Sequence, residues 1–199
     1  MEFIRMALVY PHLIACCVAI GLVLTSDLAM VRQLLTGDPE APQDQSHLPG
    51  VQKAVAWSLV TLWVSGIGIV SLDAWSQGLT YFQNPKLQAK VAIVTLLTIN
   101  GGVLHYAVLP ALQRAGSLLD LPLGSHMVAV FAGVVSGVSW LYAAMLGIGR
   151  PLNWKYSLIE ILAAFPILVV GGFVTMLALA AWAKSSGRSG QPFRDVHAH

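Results

Sequence analysis

Five uncharged apolar stretches dominate this 199-residue chain and constrain its fold more than any other feature. A bilayer hydrocarbon core about 30 Å thick is crossed by about 20 apolar helical residues, each rising about 1.5 Å. Every stretch reaches this length, and the composition agrees, with 56% hydrophobic and only 10% charged residues. The sequence therefore predicts an all-α integral membrane protein, a bundle of five transmembrane helices.

The predicted spans leave no room for a separate soluble domain. We expect one transmembrane domain over residues 1–184, followed by a flexible C-terminal tail over residues 185–199, which is rich in Gly and Ser. The spans cover about residues 6–28, 54–73, 88–113, 125–148 and 158–183.

Charge says little about partners beyond the lipid bilayer. The formal net charge is only +2 and no run of Lys or Arg occurs, so we expect no nucleic-acid binding. Five spans place the two termini on opposite sides, here called face A (N-terminal) and face B (C-terminal). Basic residues flank both faces almost equally, and we expect a cytoplasmic C-terminus.

Most ionisable and imidazole groups inside the spans fall on the first and third helices. His12 and Asp27 lie on the first, and Lys90 and His105 on the third. Each pair is separated by fifteen residues, which is about 22 Å along a helix and about 60° around it. The two helices run in the same direction, so His12 should lie level with Lys90 near face A, and Asp27 level with His105 near face B.

Further polar residues are expected at the same two levels. Near face A, Glu160 at the start of the fifth span is expected to join His12 and Lys90, although all three side chains could instead reach the interface. Near face B, Asp27 and His105 form a candidate proton relay. Asp27 alternatively pairs with Arg32 or caps its helix.

Histidines in a helical bundle favour axial ligation of haem. A neutral imidazole is a good iron ligand, and a bundle core can hold a flat cofactor between aromatic and small side chains. Cations would pair with the propionates. The candidate haem-binding residues are His12 and His105 as iron ligands, His126 as a reserve ligand, Trp63 and Trp140 as walls, and Lys90 and Arg32 as cations.

A stripe of small residues runs along the fourth span at four-residue spacing. Its members are Ser125, Ala129, Gly133 and Gly137. Such a stripe lets another helix approach closely, or it forms the wall of a cavity for a flat ligand.

Copper is a second candidate metal. His12 and Cys16 are four residues apart on one helical face, which suits a soft metal ion. A third possibility is a subunit without catalytic function, which packs into a larger complex through the glycine face of the fourth span.

Two short segments, one opening the first span and one leading into and along the third, carry a resemblance to a known superfamily. Tyr10-Pro11-His12-Leu13-Ile14 opens the first span, Pro85-Lys86-Leu87-Gln88-Ala89-Lys90-Val91 leads into the third, and Asn100-Gly101-Gly102-Val103-Leu104-His105 follows within it. Together they resemble the membrane superfamily of HemJ-type protoporphyrinogen oxidases and CopD-like copper-resistance proteins. The resemblance implies haem b and a functional pair at His12 and Lys90. HemJ-type proteins usually have four helices, whereas five are predicted here.

The residues and the resemblance together predict a membrane b-type haem-binding redox protein in a bacterial inner membrane. It would transfer electrons to quinone or oxidise a porphyrinogen. Lys90 would pair with a propionate or an anionic substrate, and Asp27 would hold or move a proton. Expected partners are a quinone or porphyrin-like molecule, and membrane subunits or further copies of the chain. The alternatives are a CopD-like copper-binding or transport protein and a non-catalytic subunit.

Overall fold

The computed structural model describes residues 2–36, 48–115, 121–149 and 154–185. Most of the predicted C-terminal tail, residues 186–199, lies outside these ranges. Within them the chain is almost entirely helical, as predicted. Its elements are α1 (Glu2–Thr36), α2 (Leu48–Gln77), a 3₁₀ helix (Leu79–Gln83), α3 (Pro85–Val103), a π-helical turn (Leu104–Val108), α4 (Leu109–Ala115), α5 (Leu123–Ile148) and α6 (Leu158–Ser185).

Five helical stretches in the described part of the chain are long and apolar enough to cross a membrane. They are Glu2–Arg32, Gly50–Gln77, Pro85–Ala115, Leu123–Ile148 and Leu158–Ala183. The third combines α3, the π-helical turn and α4. The predicted all-α membrane bundle of five spanning helices is thereby confirmed, and the chain is a multi-pass membrane protein.

The connection between α2 and α3 is fixed by residues with special backbone properties. Gly78 takes a φ of 78°, a left-handed conformation that favours glycine, directly after α2 ends. Asn84 then caps α3, because its side chain accepts a hydrogen bond of 3.0 Å from the backbone N–H of Lys86. Pro85 occupies the first helical position, where its missing N–H does no harm.

The third span changes its helical winding halfway along. The backbone N–H of Leu104 bonds to the carbonyls of both Asn100 and Gly101, and the N–H of Leu109 reaches back five residues to Leu104. The π-helical turn follows Gly101 and Gly102, where the intrinsic helix propensity is low. Such turns are rare and occur often at functional sites.

α5 is the central helix of the bundle. It packs against α1, α3 and α6, whereas α2 packs mainly against α1. The bundle therefore consists of a hairpin, α1–α2, and a body, α3–α5–α6, which meet chiefly through α1 and α5. Where they meet, a buried apolar cluster forms, here called the seam cluster; its members are Ala15, Ala19, Leu62, Leu97 and Trp140. A second cluster inside the body contains Ala89, Ile93, Tyr142, Leu146 and Ile161.

Glycines mark the closest approaches between helices. A β-carbon at Gly172 of α6 would lie 2.9 Å from the Val134 side chain of α5, and one at Gly137 of α5 would lie 3.0 Å from Asp27 Oδ2 of α1. At Gly133 it would meet nothing within 4 Å. In the small-residue stripe predicted for the fourth span, Gly137 therefore serves helix packing, while Gly133 leaves open space.

Gly172→Ala should destabilise the bundle, because Val134 is β-branched and has little rotamer freedom with which to yield to the new methyl group. Overpacking of this kind costs about 1–3 kcal/mol, which outweighs the helix propensity that alanine gains. We expect a thermal midpoint lower by several degrees in detergent, followed by circular dichroism. The matched control is Gly171→Ala, where the added carbon would meet nothing within 4 Å. Equal midpoints for the two variants would contradict the close α5–α6 contact.

Candidate functional site

His12 is held by a hydrogen bond from α1 to α2. Its Nδ1 lies 2.8 Å from Ser65 Oγ, and the same hydroxyl donates to the backbone carbonyl of Thr61 at 2.5 Å. With its hydroxyl proton on the Thr61 carbonyl, Ser65 accepts from His12, and in this tautomer Nδ1 carries the hydrogen. The other ring nitrogen, Nε2, then keeps its lone pair. Gly66 leaves ordinary van der Waals room beside the ring, since a β-carbon there would lie 3.6 Å from Cε1.

Lys90 of α3 lies close enough to His12 and to Cys16 to interact electrostatically with both. This agrees with the expected level of His12 and Lys90 near face A. Lys86, one turn earlier, acts on Lys90 in the same way. We call His12, Cys16, Ser65 and Lys90 the His12 site. It combines an imidazole nitrogen with a lone pair and a positive charge, at the junction of hairpin and body.

The two tryptophans predicted to line a haem pocket, Trp63 and Trp140, both lie where the hairpin meets the body. Trp140 is only 4% exposed and belongs to the seam cluster, against which Cys16 also packs. Trp63 is half-buried, and its indole N–H donates a hydrogen bond of 3.0 Å to the Thr98 hydroxyl of α3. The seam cluster begins one helical turn deeper than His12 and gives the site an apolar floor.

His105 does not meet His12. Its ring is exposed on the π-helical turn and packs edge-on against Tyr106, with ring centroids 4.8 Å apart. It lies fifteen residues beyond Lys90 on the same span, about 22 Å from the level of His12. The two imidazoles predicted as iron ligands, His12 and His105, are therefore not brought together. His126 is half-buried in the first turns of α5, and Arg32 is exposed near the end of α1.

Asp27 packs against α5 and has no polar partner within the described ranges. Its half-buried carboxylate lies beside Gly137, and no hydrogen bond or ion pair joins it to another described residue. The expected relay from Asp27 to His105 therefore has no direct contact in this part of the chain. Because Gly137 has no side chain, α5 leaves room for the Asp27 carboxylate.

Glu160 does not join His12 and Lys90, and that expectation was wrong. The Glu160 carboxylate accepts hydrogen bonds from the backbone N–H of Ser157 at 2.7 Å and from its hydroxyl at 2.9 Å. The Ser157 hydroxyl in turn accepts from the backbone N–H of Glu160. This reciprocal capping box satisfies the first turn of α6.

Sequence reasoning missed an ion pair at the face A end of the α1–α2 contact. Arg5 Nε lies 3.3 Å from Asp73 Oδ1, and the Tyr81 hydroxyl donates to Asp73 Oδ2 at 3.2 Å. Asp73 lies eight residues beyond Ser65 on α2, and Arg5 seven residues before His12 on α1, so the pair and the His12 site share one contact between two helices. The similar spacings of seven and eight residues from His12 and Ser65 could have indicated this ion pair in the sequence.

The chain was compared with known protein families, with curated proteins and with solved structures. Nothing matches. Within the described ranges, no group of three or more His, Cys, Asp or Glu side chains is placed to hold a metal ion.

The Tyr81 hydroxyl gives a testable pH dependence. Burial, then the charge of Asp73 and its hydrogen bond, raise the pKa of the Tyr81 phenol above its ordinary value. The folded state thus favours the neutral phenol. This stabilisation is complete at pH values below the pKa of a tyrosine in the unfolded chain, which is about 10. It is lost as the pH rises through the higher pKa that Tyr81 has in the folded protein. Thermal midpoints should fall at alkaline pH by less in Tyr81→Phe than in the wild type. Tyr156→Phe, at an exposed tyrosine, is the control; an equal fall in wild type and Tyr81→Phe would contradict this role.

Proposed function

We propose that this protein is a membrane redox protein that binds haem b, with His12 as the iron ligand. The observation that supports this is the hydrogen bond between His12 Nδ1 and Ser65 Oγ, which fixes the ring and, in the tautomer with Nδ1 protonated, leaves Nε2 its lone pair. Histidines that ligate metals almost always donate their other ring N–H to an oriented acceptor in this way. Haem supplies one-electron redox chemistry when bound.

The ligand set consists of one histidine. His105 lies about 22 Å from the level of His12 along the bundle, so it cannot share an iron with it. Among the described histidines, His12 alone would hold a haem at this site. The reaction proposed for this site is oxidation of a substrate, such as a porphyrinogen, and electron transfer to quinone is the alternative.

Lys90 determines the charge that the site accepts. A cation beside His12 and Cys16 attracts an anionic group, such as a propionate or a substrate carboxylate. The same charge opposes a copper ion between the imidazole and the thiol. The cationic environment therefore favours haem over the copper alternative, with Trp63 and Trp140 near its apolar edge. A bacterial inner-membrane location with a cytoplasmic C-terminus belongs to this proposal.

The proposal is tested by absorption spectra of the detergent-purified chain from haem-replete cells, oxidised and then reduced with dithionite. We expect a Soret band and a sharp α band on reduction. His12→Ala should lose both bands, whereas the matched control His105→Ala should keep them. Wild-type protein without these bands would overturn the proposal. Copper in that colourless protein, lost in Cys16→Ser, would establish the copper reading instead.

Lys90→Gln should weaken haem retention during purification, because it removes the charge that pairs with a propionate. The control is Lys155→Gln, which removes the charge of an exposed lysine outside the spans. Haem content is measured as the ratio of Soret to protein absorbance. Retention that falls equally in the two variants would show that Lys90 acts only through overall charge.

Ser65→Ala should lower haem affinity by about 10–100-fold, the usual effect of losing the group that orients a ligating histidine. Ser65→Thr should restore it, because threonine keeps the hydroxyl. Ser58→Ala, at another buried serine two turns away on α2, is the control for a general loss of packing. Unchanged affinity in Ser65→Ala would contradict the role assigned to the Ser65 hydroxyl.

A further inference from the structure

A groove on the body of the bundle opens between α3, α5 and α6, away from the His12 site. It measures about 360 Å³, and its lining is almost wholly apolar. Phe131 of α5 and Phe173 of α6 pack edge to face along it, with ring centroids 5.6 Å apart. The exception to its apolar character is Asn100 of α3, which is only 7% exposed. We call this the Asn100 groove.

The Asn100 amide has unused hydrogen-bonding capacity. Its Nδ2 donates one bond of 2.8 Å to the backbone carbonyl of Ala132. The amide oxygen and the second N–H have no partner among the residues that the structure describes. In the hydrocarbon region no water satisfies such groups, so an amide that keeps an unused donor and acceptor there is unfavourable. The groove thus favours a ligand that brings polar atoms to this depth.

We propose that the Asn100 groove binds the ring of a lipid-soluble quinone. Quinone carbonyl oxygens accept from the free N–H of Asn100, and the hydroxyls of the quinol donate to its amide oxygen. Both redox forms therefore satisfy the same side chain. Phe131 and Phe173 supply aromatic surface for the ring. A phospholipid acyl chain fills such a groove equally well but leaves the amide unsatisfied.

A second cavity continues the groove along the π-helical turn, α4 and α5, toward the start of α5. It measures about 350 Å³, is lined in part by Ala107 and Gly124, and shares Val128 with the first. A β-carbon at Gly124 would meet nothing within 4 Å. Asn100 lies at one end of this elongated space, and Ser125 lines the other cavity. The shape suits a ring with a long apolar chain, as in isoprenoid quinones.

The quinone site does not depend on the haem proposal, because it shares no residue with the His12 site. The test uses a photoreactive short-chain azidoquinone on the detergent-purified full chain, with labelled peptides identified by mass spectrometry. We expect label on peptides of α3 and α5 around the groove, competed by decylubiquinone. Asn100→Leu should reduce labelling about tenfold, the effect of losing a buried hydrogen bond. Ile99→Leu, at the adjacent lipid-facing position, should leave it unchanged.

Because Asn100→Leu also removes the bond to Ala132, a second variant keeps the test independent of folding. Val128→Trp fills the junction of the two cavities without touching that bond, and it should reduce labelling similarly. Ile167→Trp, at an exposed position of α6, is its control. Labelling that survives both groove variants, or that decanol competes as well as decylubiquinone, would overturn the proposal. His12→Ala should keep the label while losing haem, so the two proposals fail separately.

Discussion

Helices in a bilayer gain little free energy by exchanging lipid for one another, so the packing of this bundle depends on how closely their backbones approach. The closest contacts occur where a side chain is missing or small: Gly172 against Val134, Gly137 against Asp27, and the alanines of the seam cluster. α5 can be central because its inward face carries such residues. The positions of the polar side chains follow from these approaches.

The His12 site lies where the hairpin packs against the body. His12 and Ser65 are joined within the hairpin, while Lys90 belongs to the body. Polar groups inside a membrane are unfavourable unless they are satisfied, and here the hairpin satisfies one imidazole nitrogen and leaves the other without a hydrogen bond among the described residues. The Asn100 groove repeats the arrangement, with half of an amide satisfied by α5 and the other half available to a ligand.

The sequence was sufficient to predict the spans, because the length of an apolar run directly reflects bilayer thickness. Counting residues along parallel helices also placed His12 level with Lys90. What sequence reasoning lacked was the rotation of each helix. Apolar residues cover all sides of these helices, so no stripe indicates an inward face, and His105 was assigned to the interior although its ring is exposed. The Ser157–Glu160 capping box was readable from its spacing and was overlooked.

The division into hairpin and body has a mechanical consequence. α2 packs mainly against α1 and is linked to α3 by the Trp63–Thr98 hydrogen bond, while α1 rests on the body chiefly through α5, so any rocking of the hairpin would turn about these contacts. His12 would move with the hairpin, whereas Lys90 would stay with the body. Any such rocking changes the gap between imidazole and ammonium more than the distances within either part. A molecule bound by both residues would hold the hairpin against the body, and its dissociation would allow the two parts to move relative to each other.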